Sequence, residues 1–437
     1  MQETKYPSIG SGYYGVAVMT LAQVFAFIDR QIPAMLIEPI KRDFGLYDSQ
    51  IALLGGAAFS IFYAFMALPI GYAVDRMKRT SILGVGILLW SLMTVFAGLA
   101  NSFARLFGAR VGVAVGEAVM APTSVSLISD YFPPEQQGKP MGIITSGVYV
   151  GIGITLLGGG FLIDYLTDIG GLYLPVIGLV KPWQATFMLV GIPGVLVSLA
   201  AFSMSEPRRI ILNREDKTKS ASKALINHIL AYKSTLIPLC LGLIFMALIF
   251  YSFTFWAPTM MVRTFGLSLS EIGLVLGLIT ITTSISGTIL SGTIVDSLRK
   301  KGYQDAPVRV AMYAVLLAFP FITLAPLVDS IFLSWIFIGF YLFFISSFAP
   351  LGLLAISGLS DGHVKGQMAA LYAFLVMVFG LSLGPQLTAF FTDIIFQNTS
   401  KLGQSISLTG FLALPISAFF LWLSLPKYRD SVVKLSK

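Results

Sequence analysis

Twelve separate stretches of this chain are each long and apolar enough to cross a lipid bilayer, and that repetition leaves few folds open. A helix needs about 20 apolar residues to cross the hydrocarbon core. The stretches run at 15–36, 50–73, 80–100, 105–128, 140–163, 184–204, 236–261, 272–294, 308–327, 331–355, 367–393 and 407–425. Glycine interrupts them where a barrel strand would alternate with polar residues, so they read as helices. Composition agrees: of 437 residues, 56% are hydrophobic and only 11% charged, with a mean hydropathy of +0.83. A soluble domain carries about 25% charged residues. The expected fold class is an all-α polytopic membrane protein.

Basic residues set the expected orientation. With both termini cytoplasmic, 21 of the 29 Lys and Arg fall on the inner side and 6 on the outer. The first fourteen residues are polar and the first apolar stretch is of full spanning length, so no cleaved signal is expected. A cell-membrane location follows, and the net charge of +8 suits anionic membrane lipids, not nucleic acid. The longest charged connection divides the chain into a six-helix bundle at 1–204, a cytoplasmic linker at 205–235 and a second bundle at 236–437. Spacing of Ala224, Leu225, Ile229 and Leu230 permits either a short surface helix or a solvated linker. The halves repeat: GYAVDRMKR (71–79) follows the second span and GTIVDSLRK (292–300) the eighth, with Gly71 to Gly292 and Asp75 to Asp296 both 221 residues apart. Internal duplication of this kind marks repeat-built secondary transporters.

A lone Cys240 excludes disulfides and cysteine metal clusters. His228 and His363 lie near loops, so no metal, cofactor or nucleophile–base pair is expected in the spans, and an enzyme is disfavoured. The chemistry resides in four ionisable residues inside spans: Asp29, Arg30, Arg110 and Glu117. A charge near the bilayer centre costs at least about 2.5–3.5 kcal/mol, so such residues face a cavity and pair. Arg110 and Glu117 share one helix face about 10 Å apart along the axis, and Gly112 and Gly116 thin the same helix. All four occupy one depth band, which predicts a single network of Asp29–Arg110 or Arg30–Glu117 pairs. Structural glue is the bland reading. The functional one makes Glu117, then Asp29, the proton carriers, and Arg30 and Arg110 the anchors of a phosphate or carboxylate.

The second half offers neutral or aromatic candidates for substrate: Tyr251 on the seventh span, Thr282 on the eighth, and Tyr372 and Gln386 on the eleventh. A charged half and an aromatic half suit an amphipathic small molecule better than a sugar.

Several motifs resemble the major facilitator superfamily. Gly71-x-x-x-Asp75-Arg76-x-x-Arg79 resembles its loop between helices 2 and 3. RVGVAVG (110–116) is similar to its fourth-helix motif, and Gly147-x-x-x-Gly151-x-Gly153 to its fifth-helix glycine motif, without the usual Gly-Pro pair. FIDRQ (27–31), RVGVAVGEA (110–118) and APTSVSLISDYFP (121–133) look like the Spinster branch. That resemblance implies two bundles cycling by alternating access, with Gly147 and Gly151, like Gly112 and Gly116, in helix packing. It assigns gating to Gly71, Asp75, Arg76 and Arg79 and to the weaker copy with Asp296 and Arg299. Asp75 is expected at the amino end of the third helix, with Arg76 and Arg79 paired across to the other half. The implied activity is proton-coupled transport of a lysophospholipid or sphingosine-phosphate-like lipid by a monomer without cofactors. The alternative is a hexuronate-like organic anion; a membrane enzyme, sensor or channel ranks below both.

Overall fold

The computed structural model describes residues 6–133, 136–175, 177–209, 217–360 and 364–435. Lys5, Arg214, His363, Lys437 and the middle of the expected linker lie outside the described residues. Among the described residues, twelve helices have the length and apolarity to cross a membrane: α1 (Ile9–Met35), α2 (Asp48–Ala67, helical on to Arg76), α3 (Arg79–Gly98), α4 (Phe103–Tyr131), α5 (Gly138–Asp168), α6 (Pro182–Phe202), α7 (Ala224–Phe265), α8 (Leu269–Lys300), α9 (Ala306–Leu324), α10 (Ile331–Gly358), α11 (Lys365–Ile395) and α12 (Thr399–Leu435). Most extend past their apolar stretches, because polar ends continue the backbone ladder outside the hydrocarbon. The seventh runs unbroken from Lys217, so the charged connection is helical there. Its His228 is buried, with Nε2 2.8 Å from the Leu359 carbonyl at the end of α10.

The chain forms two compact units. One comprises Met1–Leu212 and Leu267–Gly277, the other Asn213–Gly266 and Leu278–Lys437. The start of α8 thus groups with the first unit, where the sequence assigned all of 236–437 to the second bundle. Three local features explain this. A side chain at Gly160 would collide with the Leu269 carbonyl, and one at Gly273 with the Leu156 carbonyl. Asp164 Oδ2 accepts from the Ser270 N–H at 2.9 Å and from its hydroxyl at 2.5 Å.

In the first unit α1 packs on α5, and α3 on α4 and α6. Small residues permit these approaches. A Cβ at Gly116 would lie 2.7 Å from the Trp90 nitrogen and 2.8 Å from the Gly86 carbonyl; one at Gly112 would meet the Met93 sulfur at 2.6 Å. At Gly147 it would meet the Thr20 carbonyl at 2.9 Å, and at Gly151 the Phe27 Cβ at 2.8 Å. Beyond α1, a short helix at Ile37–Phe44 is fastened to α6 by Trp183, whose Nε1 donates to Asp43 Oδ2 at 2.5 Å. The hairpin β1 (Leu172–Leu174) and β2 (Gly178–Val180) precedes α6.

In the second unit α7 packs on α12, and α9 on α10 and α12. Buried hydroxyls cross-link three helices: Ser252 of α7 is 2.6 Å from Thr388 of α11, Thr388 is 2.7 Å from Thr409 of α12, and Thr392 donates to Ser405 at 2.8 Å. The α11 backbone opens into π turns at Val376–Leu381 and Phe391–Ile395. Such turns concentrate at functional sites.

Candidate functional site

Helices α1 and α4 bring Asp29, Arg30, Arg110 and Glu117 into one buried cluster in the first unit. Arg30 Nε donates to Glu117 Oε2 at 2.6 Å. The glutamate side chain is wholly buried, while that of Arg30 keeps 16% exposure. Its guanidinium carbon lies 4.7 Å from the ring centres of both Phe27 and Phe59 and 5.1 Å from that of Tyr63. Aromatic faces attract a desolvated cation, so the rings hold Arg30 in place without neutralising it. Phe59 and Tyr63 follow a π turn at Leu53–Ala57 in α2.

Asp29 and Arg110 meet differently from the expected carboxylate pair. Arg110 Nη1 donates to the backbone carbonyl of Asp29 at 3.1 Å. The cause is Pro33, four residues on within α1: proline has no N–H, so the Asp29 carbonyl lacks its helical donor. The Asp29 carboxylate instead takes the Thr94 hydroxyl on Oδ2 at 3.0 Å. Its Oδ1 has no hydrogen-bond partner among the described residues, nor have Glu117 Oε1 and Arg110 Nε, although all three atoms are buried. Two carboxyl oxygens therefore remain open to a proton.

The loop motif is arranged otherwise than expected. Asp75 lies in the last turn of α2, not at the start of α3, where the dipole would have favoured it. Glu206, just beyond α6, takes that place, with Oε2 2.9 Å from the Thr80 N–H. Arg79 is buried among partners of its own unit. Its Nε donates to Glu206 Oε1 at 2.7 Å, and its Nη atoms donate to Asp130, the Ser126 carbonyl at 3.0 Å and the Pro207 carbonyl at 2.9 Å. Burial alone pushes the Glu206 carboxyl up, but the Thr80 N–H and the Arg79 guanidinium outweigh it and hold it below its ordinary value. Arg76 stacks on the Tyr72 ring of its own helix. Gly71 has open space where a Cβ would stand.

Sequence reasoning missed Arg209, whose guanidinium closes the end of α2 by donating to the carbonyls of Val74 at 2.8 Å, Met77 at 2.6 Å and Asp75. The second unit has its own charged knot, also missed. Buried Asp305 accepts from Arg309 at 2.8 Å and Arg429 at 2.7 Å, an acid between two bases where the first unit has a base between two acids. Asp296 and Arg299 are exposed near the end of α8.

Two of the second-unit candidates, Tyr251 and Tyr372, share Phe348 as a neighbour. Tyr372 is buried, with its hydroxyl 3.4 Å from the Phe348 carbonyl. Tyr251 packs edge-on against Phe250 and Phe348. Thr282 is exposed and donates to its own helix at Leu278, 2.7 Å away. Gln386 Oε1 is buried without a hydrogen-bond partner among the described residues.

Comparison with known proteins matches this architecture. The profile of the Major Facilitator Superfamily covers residues 19–385. An MFS-type efflux pump of Mycolicibacterium smegmatis is 26% identical over 424 residues, covering 96% of this chain and 94% of that protein. A hexuronate transporter of Bacillus subtilis is 24% identical, covering 91% of each. The crystal structure of a bacterial homologue of the human lysosomal transporter Spinster, inward-facing and unoccupied, superposes with a TM-score of 0.79 at 26% identity, covering 98% of both chains. Such relatives move molecules across membranes and are not enzymes, and the chain belongs to the major facilitator superfamily, as a multi-pass secondary transporter of Spinster-like structure.

Proposed function

We propose that the protein is a proton-coupled transporter of an amphipathic anion, with a lysophospholipid or sphingosine-phosphate-like lipid as substrate. The observation that carries this reading is Arg30: partly exposed, ringed by Phe27, Phe59 and Tyr63, and held by a buried glutamate with one open oxygen. A guanidinium with aromatic walls suits a phosphate attached to a hydrocarbon chain. Protonating Glu117 releases Arg30 to the anion, and an anion at Arg30 favours the protonated glutamate. Proton and anion then load together, by reciprocal linkage. Asp29 is the second proton carrier and Arg110 the second anchor. Tyr251, Thr282, Tyr372 and Gln386 are the proposed contributors of the second unit. The basic bias supports cytoplasmic termini in the cell membrane, and a monomer suffices for the cycle.

The test is binding of a homologous series of acyl phosphates to purified protein, repeated with Arg30→Ala. Each buried methylene contributes about 0.8 kcal/mol, so affinity rises about fourfold per added carbon where burial is complete. Arg30→Ala weakens the whole series. Affinity independent of chain length, with tight binding of short hydrophilic acids, overturns the lipid reading. It would favour the second reading, a hexuronate-like anion, which the Bacillus subtilis relative supports.

A further inference from the structure

At the end of the first unit opposite the amino terminus, a groove of about 320 Å3 runs between α3 and α4, lined by Met93, Phe96, Leu99, Ala100, Arg105 and Ala109. Phe96, Leu99 and Arg105 are exposed. The Arg105 guanidinium has no partner among the described residues: only the backbone N–H of Arg105 bonds a side chain, that of Ser102, and the first turn of α4 contains no acid. A larger groove of about 480 Å3 in the second unit, between the end of α9 and the start of α12, is neutral, with Gln404 and Ser407 beside Leu324, Leu327 and Phe411.

We propose that the α3–α4 groove holds an acyl chain of an anionic phospholipid whose phosphate pairs with Arg105. Five apolar side chains and the arginine stem provide a surface for a chain, and a guanidinium near the end of a spanning helix reaches towards headgroup depth. Charge selects the occupant. An unpaired cation prefers a net anionic headgroup over a zwitterionic one, whose own ammonium competes for the phosphate. Free phosphate is disfavoured, because one exposed guanidinium holds it only weakly in water. This site is separate from Arg30 and Glu117 and does not depend on the identity of the transported molecule.

Native mass spectrometry of the full-length protein, titrated with palmitoyl-oleoyl phosphatidylglycerol or the matched phosphatidylcholine, reads the site directly. One phosphatidylglycerol per chain is expected to be retained about fivefold more tightly than phosphatidylcholine, and Arg105→Gln removes that preference. Leu99→Trp, which fills the groove from an exposed position, lowers retention of the same lipid. Glycerol 3-phosphate, a headgroup without chains, does not displace it. Gln404→Arg places a cation beside the neutral groove and adds a second retained phosphatidylglycerol. Equal retention by parent and Arg105→Gln, no preference for the anionic lipid, displacement by glycerol 3-phosphate, or indifference to Leu99→Trp overturns the proposal. Failure of Gln404→Arg to add a lipid overturns the claim that one arginine beside an apolar groove selects it.

Discussion

Arg110 supplies the hydrogen bond that Pro33 withholds from Asp29: the carbonyl of Asp29, left without a helical donor, lies 3.1 Å from Arg110 Nη1. A break in the backbone ladder of α1 is thus the attachment point for a charge on α4. Pro33→Ala restores the missing N–H, and the helix then competes with Arg110 for one carbonyl. Helix propensity favours alanine by about 3 kcal/mol, while a hydrogen bond to a charged group contributes about 1.5–3 kcal/mol. Thermal stability is expected to change little. Transport in proteoliposomes is expected to fall by about tenfold, equivalent to about 1.4 kcal/mol. Unimpaired transport would show that the Arg110–carbonyl bond is only structural.

Glu117→Gln keeps the shape of the side chain and removes its titration. The variant is expected to bind substrate, to exchange it between the two sides of a vesicle, and to fail to accumulate it against a pH gradient. Counterflow and gradient-driven uptake, measured side by side, separate these outcomes. Accumulation equal to that of the parent, with the same pH profile, removes Glu117 from the coupling reaction.

Glu206 makes a prediction about acid stability. Its carboxyl is held below the ordinary value in the folded protein, so the unfolded chain takes up the proton first as pH falls. The stabilisation is fully present above about pH 4.3, the ordinary glutamate value, and is lost as pH falls towards the folded value. Glu206→Gln is expected to lower stability at neutral pH by about 1.5–3 kcal/mol, the range for hydrogen bonds to a charged group. It also flattens the acid limb of a plot of Tm against pH. An unchanged acid limb assigns that limb to other carboxylates.

Two glycines of the sequence motifs are expected to behave oppositely. Gly116 faces the Trp90 nitrogen and the Gly86 carbonyl, backbone atoms that cannot move aside, whereas Gly71 faces open space. Gly116→Val should reduce the yield of monodisperse protein, since overpacking costs about 1–3 kcal/mol or more. Gly71→Ala, inside a helix, should preserve Tm or raise it by the equivalent of up to about 1 kcal/mol. Size-exclusion profiles and thermal melts of the pair decide it.

The helices were legible because a membrane span announces itself by length and apolarity. The helix found at Ala306–Leu324, for instance, overlaps the stretch at 308–327. Arg30 and Glu117 were legible for the same reason: a charge stands out in a run of hydrocarbon. Asp130, Glu206 and Arg209 were not, because they sit in or beside polar connections where charge carries no such contrast. What joins them is a fold that returns the end of α6 to the start of α3, across more than a hundred residues of chain. The Arg110–Asp29 bond had a readable signal in the four-residue spacing of Asp29 and Pro33. The π turns of α11 had none: Val376–Leu381 is as apolar as any regular helix, and Thr392 and Asp393 within Phe391–Ile395 are residues that regular helices also carry.

The hydroxyls that cross-link α7, α11 and α12 have an electrical consequence. Ser252, Thr388, Thr392, Ser405 and Thr409 each donate and accept hydrogen bonds without carrying charge. They neither gain nor lose a proton at any pH a cell meets, and a membrane voltage exerts no net force on them. The joint between these three helices therefore keeps the same strength in acid or alkali, and in an energised or a collapsed membrane. Voltage and pH find their purchase on charged groups instead, such as the four that α1 and α4 bury together.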